Sequence, residues 1–130
     1  MPNMDCTFTQ AERLKSKLVI DKLFAGGNAS MVAFPLRVVY MKVDGGVPPV
    51  AVLVSVPKKR FRHAVDRNRM KRLVREAYRL NKHILWKGLE GKGYGLAVAF
   101  VCITGQLPTF RAVNKGMVKA LLHISERLNK

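Results

Sequence analysis

The stretch of sequence that decides the fold is residues 50–83, VAVLVSVPKKRFRHAVDRNRMKRLVREAYRLNKH. Its first part, residues 50–56, is almost wholly apolar and rich in β-branched side chains, which predicts a central strand buried on both faces. Pro57 ends this strand because proline has no N–H to donate to a sheet. Residues 64–83 contain neither Gly nor Pro, which favours a long helix. A buried strand, a basic connector at residues 58–63 and a long helix are therefore the predicted centre of the fold.

The sequence before this centre predicts a short helix and one strand. Leucines and a phenylalanine at near-helical spacing in residues 10–24 indicate the helix, and the Gly-Gly-Asn turn at residues 26–28 ends it. In residues 31–43 the side chains alternate as a strand requires, and turn residues follow at 44–46.

The sequence after the centre predicts a second strand and helix. A glycine-rich loop at residues 88–95 leads into the apolar strand 96–103, and Thr109 has the chemistry of an N-cap. Residues 110–128 then repeat apolar side chains with a period near 3.6. The prediction is a single domain, residues 1–130, with the element order α-β-β-α-β-α.

Charge is the strongest feature of the composition. The chain carries 24 Lys and Arg against 8 Asp and Glu, a formal net charge of +16. Such self-repulsion opposes compaction, so a polyanionic partner is expected. No apolar run reaches the roughly 18 residues of a membrane span, and residues 1–16 lack the apolar core of a secretory signal. A cytoplasmic protein is therefore expected, with Cys6 and Cys102 as reduced thiols because no CxxC spacing occurs.

The predicted long helix has one apolar and one basic side. Residues 58–79 hold ten Lys or Arg against only two acidic residues. A helical repeat puts Met70, Leu73, Val74, Ala77 and Leu80 on one side, and Lys71, Arg72, Arg75 and Arg79 nearly opposite with Asn68. A solvated face usually mixes charge signs, whereas this one repels itself unless phosphates intervene. The pattern therefore favours nucleic-acid binding.

RNA is favoured over DNA because exposed aromatic rings stack on unpaired bases better than they enter duplex grooves. Phe24, Phe34 and Tyr40 are the candidate rings. Phe34, like Phe110, is interpreted as core packing, and Tyr40 as a half-exposed platform. The eight acidic residues are scattered without a metal-binding motif, so no catalytic side chain and no metal site are predicted on the protein.

Two segments, VSVPKK at residues 54–59 and AVDRNRMKRLVREAY at residues 64–78, resemble the signature of the bacterial ribonuclease P protein family. The resemblance extends to Arg13-Leu14, Leu23-Phe24, Tyr40 and Thr109-Phe110. It implies a two-layer α/β sandwich similar to the second domain of the fifth small-subunit ribosomal protein. It also implies a left-handed βαβ crossover through the basic helix, although most crossovers are right-handed.

The resemblance further implies a role in an endoribonuclease holoenzyme. A catalytic RNA, with Mg²⁺ held mainly by that RNA and the substrate, would hydrolyse the phosphodiester bond that releases the 5′ leader of precursor tRNA. The protein would bind both RNAs, with no membrane or DNA partner. The expected RNA-binding residues are Lys58, Lys59, Arg67, Asn68, Arg69, Lys71, Arg72, Arg75 and Arg79, and the expected leader cleft between the first helix and the sheet holds Arg13, Ile20, Phe24 and Tyr40.

Three positions depart from the family pattern. Ile20 stands where a second stacking aromatic is common, the connector at residues 60–63 is one residue longer, and the strand 100–103 lacks a basic residue at its end. The main alternative function is a ribosome-associated or chaperone-type RNA-binding protein without an enzymatic role. A DNA-binding regulator is a third, for which no dimer seam is visible.

Overall fold

A computed structural model describes residues 10–44 and 48–129. Their elements, after a 3-10 helix at Gln10–Glu12, are α1 (Lys17–Phe24), β1 (Ala29–Ala33), β2 (Leu36–Asp44), β3 (Val50–Ser55), α2 (Ala64–Leu89), β4 (Tyr94–Cys102) and α3 (Phe110–Leu128). The predictions for Cys6 and for the turn at Gly45-Gly46 lie outside the described residues.

The four strands form one mixed sheet in the order β1-β2-β4-β3. Strands β1, β2 and β4 pair antiparallel, and β3 pairs parallel to β4 through the α2 crossover. The predicted α/β sandwich is confirmed, with the element order corrected to α-β-β-β-α-β-α. The strand predicted at residues 31–43 is two strands, because Phe34-Pro35 turns the chain between the paired residues Ala33 and Leu36. The hand of the crossover stays a prediction.

The prediction that β3 is a central strand is wrong, because β3 lies at the edge of the sheet. The apolar composition of β3 is explained by packing on both faces of the strand. Val50, Val52 and Val54 are buried in the main core, and Ala51 and Leu53 pack against the smaller cluster on the opposite face. The outer edge is also partly covered, since Leu14 N donates to Val52 O at 2.8 Å.

The two faces of the sheet carry different helices. The main core joins Leu36, Val38 and Tyr40 of β2 to the buried sides of α2 and α3. On the other face, Val39 packs with Leu23 of α1. Alternation along β2 therefore decides which side chains can meet α1.

Helix α2 continues to Leu89, beyond the predicted end near His83. Gly88 lies within this helix against α3, where a Cβ would come 3.0 Å from Ser125 Oγ, so the glycine allows the two helices to approach closely. Met70, Val74 and Ala77 are buried as predicted, whereas Leu80 is exposed.

Helices α1 and α3 begin at hydroxyl caps. Ser16 Oγ accepts a hydrogen bond from Val19 N, so α1 begins later than residue 10. Thr109 Oγ1 accepts one from Ala112 N at 3.2 Å, which confirms the predicted N-cap of α3. Gly116 lets α3 approach the β1–β2 turn, where a Cβ would lie 2.8 Å from the Phe34 carbonyl oxygen. No helix within residues 10–44 and 48–129 has the length and apolar character needed to cross a bilayer.

Candidate nucleic-acid interface

The solvent-facing side of α2 carries a run of cationic and amide side chains near its N-terminus. We call this surface the basic face; it is made of Asn68, Arg69, Lys71, Arg72 and Arg75. The opposite side of the helix is buried in the main core, so the helix presents these side chains from a rigid support. Planar guanidinium groups on a fixed helix can donate paired hydrogen bonds to phosphate.

Arg67 is tied to the chain that precedes α2. Its Nη1 donates to the carbonyl oxygens of Phe61 at 2.8 Å and Arg62 at 3.0 Å. Phe61 is itself buried in the main core. These contacts fix the longer connector at the start of α2, so Arg67 positions the neighbouring Asn68 and Arg69, which are exposed.

Arg79 already engages a carboxylate. Its Nε donates to Glu76 Oε1 at 2.8 Å and its Nη2 to Glu76 Oε2 at 2.7 Å. The hydrogen bond from Arg79 holds the pKa of Glu76 below its ordinary value. Arg79 is therefore less available to phosphate than Arg72, which is exposed about two turns closer to the N-terminus of the helix.

The charge of Arg13 acts on one residue of α2. Partial burial, and after it the positive charge of Arg13, lower the pKa of Arg75. Arg13 does not line the cleft described next. A parallel bridge between its backbone and Val52 places Arg13 at the β3 edge, and its part in leader binding stays a prediction.

A cleft lies beside the end of α1, on the sheet face that α1 only partly covers. Cross-strand pairing places Arg37 of β2 between Val32 of β1 and Val101 of β4, and Val101 pairs in turn with Ser55 of β3. These residues form one row across the sheet. The cleft has a volume of about 500 Å³ and is lined by Leu23, Phe24, Gly26, Gly27, Asn28, Ser30, Arg37, Val39 and Val101.

The rim of the cleft is built by the end of α1. Asn28 Nδ2 donates to the carbonyl oxygens of Lys22 at 2.8 Å and Leu23 at 3.0 Å. Gly26 and Gly27 adopt positive φ values of 99° and 81°, which glycine reaches without strain. This turn leaves the Phe24 ring 49% exposed on the cleft wall.

Two of the predicted aromatic rings, Tyr40 and Phe34, lie in other environments than predicted. Tyr40 is only 8% exposed and belongs to the main core, so its predicted role as a platform beside Phe24 is wrong. Strand parity explains the error, because Val39 and Met41 face α1 whereas Tyr40 faces the other helices. Phe34, predicted to be core, is 68% exposed at the β1–β2 turn. Phe110 packs against the main core as predicted.

The remaining predicted residues lie around these surfaces. Ile20 packs against the smaller core cluster beneath α1, which agrees with apolar packing in place of stacking. Lys58 and Lys59 are exposed in the turn that follows β3, at the end of the sheet where Ser55 and Val101 lie.

Sequence reasoning missed Arg37. The strand 100–103 has no basic residue at its end, and Arg37 lies beside it, since its Cα partner across the sheet is Val101. The alternation along β2 puts Arg37 on the same face of the sheet as Val39. Only the strand order shows that this face lines the cleft.

Sequence reasoning also missed a buried polar network. Lys82 Nζ donates to Glu12 Oε1 at 2.6 Å and lies 4.7 Å from the centre of the Trp86 ring. Trp86 Nε1 donates to Tyr78 Oη at 3.0 Å. Tyr78, Lys82 and Trp86 follow at four-residue intervals on one side of α2, so the network joins the N-terminal 3-10 helix to this helix.

Potential metal ligands do not cluster in the part of the chain that the structure describes, where no three of His, Cys, Asp and Glu come together. These side chains do not fit a Mg²⁺ site of the protein's own, since Mg²⁺ favours converging oxygen ligands. What the two surfaces offer is cationic and aromatic binding chemistry.

Comparison with known proteins agrees with this geometry. The family model for ribonuclease P matches residues 8–124. A ribonuclease P protein component of Porphyromonas gingivalis W83 is 47% identical over 118 residues, covering 90% of this chain and 85% of the relative.

Solved structures share the fold. The ribonuclease P protein of Thermotoga maritima matches with a TM-score of 0.67 at 21% identity, covering 86% of this chain and 96% of that one. The Staphylococcus aureus protein matches with a TM-score of 0.63 at 18% identity, covering 90% and 97%. The chain therefore belongs to the bacterial ribonuclease P protein family, the protein components of the endoribonuclease that processes the 5′ ends of tRNAs.

Proposed function

We propose that this protein binds the catalytic ribonuclease P RNA through the basic face and the 5′ leader of precursor tRNA through the cleft. The observation that carries the proposal is the separation of the two surfaces by the sheet. The basic face belongs to a helix that packs on one side of the sheet, and the cleft opens beside α1 on the other. One protein can then contact two RNAs at once.

The cleft suits a single-stranded nucleotide. Phe24 offers an exposed ring for base stacking, and Arg37 offers a guanidinium for a neighbouring phosphate. Its volume of about 500 Å³ falls within the size range of small-molecule sites. Lys58 and Lys59 extend the positive charge at the same end of the sheet.

We assign the hydrolysis to the RNA subunit. Mg²⁺ in this proposal is held mainly by that RNA and by the substrate, because the described side chains do not supply a cluster of ligands. The protein contributes affinity and orientation. The cytoplasm is the proposed location, since both RNA partners are expected there.

The salt dependence of binding to the ribonuclease P RNA tests the basic face. With about six or more phosphate contacts, affinity should fall by roughly a thousandfold or more over a fourfold rise in salt. Arg72→Gln should lower the slope of log affinity against log salt by about one. Arg127→Gln, which removes an exposed charge at the end of α3, is the matched control and should leave the slope unchanged. A flat salt dependence of the unmodified protein would contradict the proposal.

The length of the leader tests the cleft. The holoenzyme should bind precursor tRNA more tightly than mature tRNA, and the difference should vanish as the leader is shortened past the nucleotides that reach Phe24. Equal affinity for both tRNAs would show that the cleft does not hold the leader.

A further inference from the structure

One side chain, Asn28, ties the end of α1 to the start of β1. Its Nδ2 donates to the carbonyl oxygens of Lys22 at 2.8 Å and Leu23 at 3.0 Å, both in the last turn of α1. An asparagine amide has two N–H donors, so both are used within the protein. Because Asn28 immediately precedes β1, these hydrogen bonds close the loop of residues 22–28 on the wall of the cleft.

The two glycines of this loop lie in open space. Gly26 and Gly27 adopt φ values of 99° and 81°, and a Cβ at either position would meet nothing within 4 Å. Glycine has wide conformational freedom, so such a pair needs a restraint from its neighbours to keep one shape. Ala25 N donates to the Lys22 carbonyl oxygen at 3.3 Å, a longer bond than that of Asn28. The Asn28 amide is therefore the main restraint on the loop.

The ring of Phe24 depends on this loop for its direction. Phe24 is the last residue of α1, and the carbonyl oxygen of the residue before it, Leu23, is one of the two that Asn28 holds. The Leu23 side chain is buried in the smaller core cluster, whereas the Phe24 ring is 49% exposed on the cleft wall. Because so exposed a ring has little packing to hold it, the backbone of the last helical turn sets where it points.

We propose that Asn28 is a positioning residue for leader binding, which fixes the last turn of α1 so that the Phe24 ring is set for stacking before a leader base arrives. The inference rests on the proposed function and deepens it. A ring that is already ordered loses less conformational freedom on binding, which raises affinity. Asn28 acts through the ring, since its two N–H donors are engaged and neither is left for a leader phosphate.

A double-mutant cycle in the holoenzyme tests whether Asn28 acts through Phe24. Affinities for leader-bearing precursor and for mature tRNA are measured for the unmodified protein, Asn28→Ala, Phe24→Ala and the double variant. Asn28→Ala should weaken precursor binding by about fivefold, which corresponds to one ordinary hydrogen bond, and leave mature tRNA unaffected. When the ring is already absent, the same change should have no further effect. Asn129→Ala, which removes an exposed amide at the end of α3, is the matched control.

Fluorine NMR of the free protein tests the position of the ring without any RNA. The protein is labelled with fluorinated phenylalanine, and the Phe24 signal is assigned by its absence from Phe24→Ala. Asn28→Ala should move this signal toward its value in concentrated urea and leave those of the buried Phe61 and Phe100 unchanged. The thermal midpoint should fall by no more than about 4 °C, since the lost hydrogen bonds lie near the surface.

The outcomes separate this inference from the proposed function. If the unmodified holoenzyme binds precursor and mature tRNA equally, the leader site is wrong, and the role of Asn28 in leader binding is wrong with it. If the leader site holds but Asn28→Ala binds precursor normally, or weakens it equally with and without the Phe24 ring, the inference alone is wrong. An unchanged Phe24 signal would also overturn it. Equal losses for both tRNAs, with a much larger fall of the thermal midpoint, would mean that Asn28 supports the fold instead.

Discussion

The Lys82 ammonium group donates a hydrogen bond to Glu12 Oε1 at 2.6 Å, with both side chains buried. The two residues are 70 positions apart, and their contact joins the N-terminal 3-10 helix to α2. Glu12 Oε2 is buried without a hydrogen-bond partner among the described residues. Because burying charges is costly, this pair holds the N-terminal segment only while both members are present.

Removing the carboxylate of this pair should destabilise the fold. Glu12→Ala leaves the Lys82 charge in a buried site, so the free energy of unfolding should fall by about 3–5 kcal/mol. Urea unfolding followed through Trp86, the single tryptophan, measures the change. Glu126→Ala removes an exposed carboxylate on α3 and should change stability by no more than about 0.5 kcal/mol. Equally small effects for both variants would mean that the buried pair does not hold the segment.

Phe24 and Tyr40 should differ in the kind of defect that their loss causes. Phe24→Ala should weaken binding of leader-bearing precursor by about 1–3 kcal/mol and leave mature tRNA unaffected. Tyr40→Ala should lower the free energy of unfolding and weaken binding of both tRNAs alike, because Tyr40 is a core residue. Phe34→Ala, which removes an exposed ring outside the cleft, is the control. A leader-specific defect from Tyr40→Ala would reverse this assignment.

Arg37 should contribute to leader binding despite its distance in sequence from the basic helix. Arg37→Gln removes the cation from the cleft floor and should weaken binding of leader-bearing precursor by about 1.5–3 kcal/mol. Arg111→Gln, which removes an exposed charge at the start of α3, should have no comparable effect. Competition binding with precursor and mature tRNA makes the comparison, and equal losses for both substrates would contradict the assignment.

The Cys102 thiol should react slowly in the folded protein. Burial raises its pKa, and its Sγ donates to the Thr104 carbonyl oxygen at 3.3 Å. An unperturbed cysteine is half ionised near pH 8.5. Because the pKa of Cys102 is raised, its thiolate fraction at that pH is smaller. In a Cys6→Ser variant, alkylation by iodoacetamide should be much slower in buffer than in concentrated urea. Equal rates in the two solvents would show that the Cys102 site is open.

Local sequence was sufficient where a segment's own chemistry determines its structure. The hydroxyl of Thr109 caps α3 as predicted, and the alternation of apolar and basic side chains along α2 correctly separated Met70 and Val74 from Arg72. These features depend on neighbours within about one or two helical turns. The same reasoning placed Phe24 at the end of α1, where the following glycines expose its ring.

Non-local pairing explains what local sequence could not show. The turn at Phe34-Pro35 interrupts an alternation that continues on both sides, so one strand was expected in place of two. Tyr40 was misplaced because parity tells which residues share a face but not which helix covers it. Arg37 acquires its place in the cleft only through strand order.

The most direct test of the account is cleavage of a labelled precursor tRNA at low Mg²⁺ by a bacterial ribonuclease P RNA, with and without this protein. We expect the protein to stimulate cleavage with correct 5′ ends and to cleave nothing by itself. Tight binding to the RNA without any stimulation, or cleavage by the protein in the absence of the RNA, would contradict it.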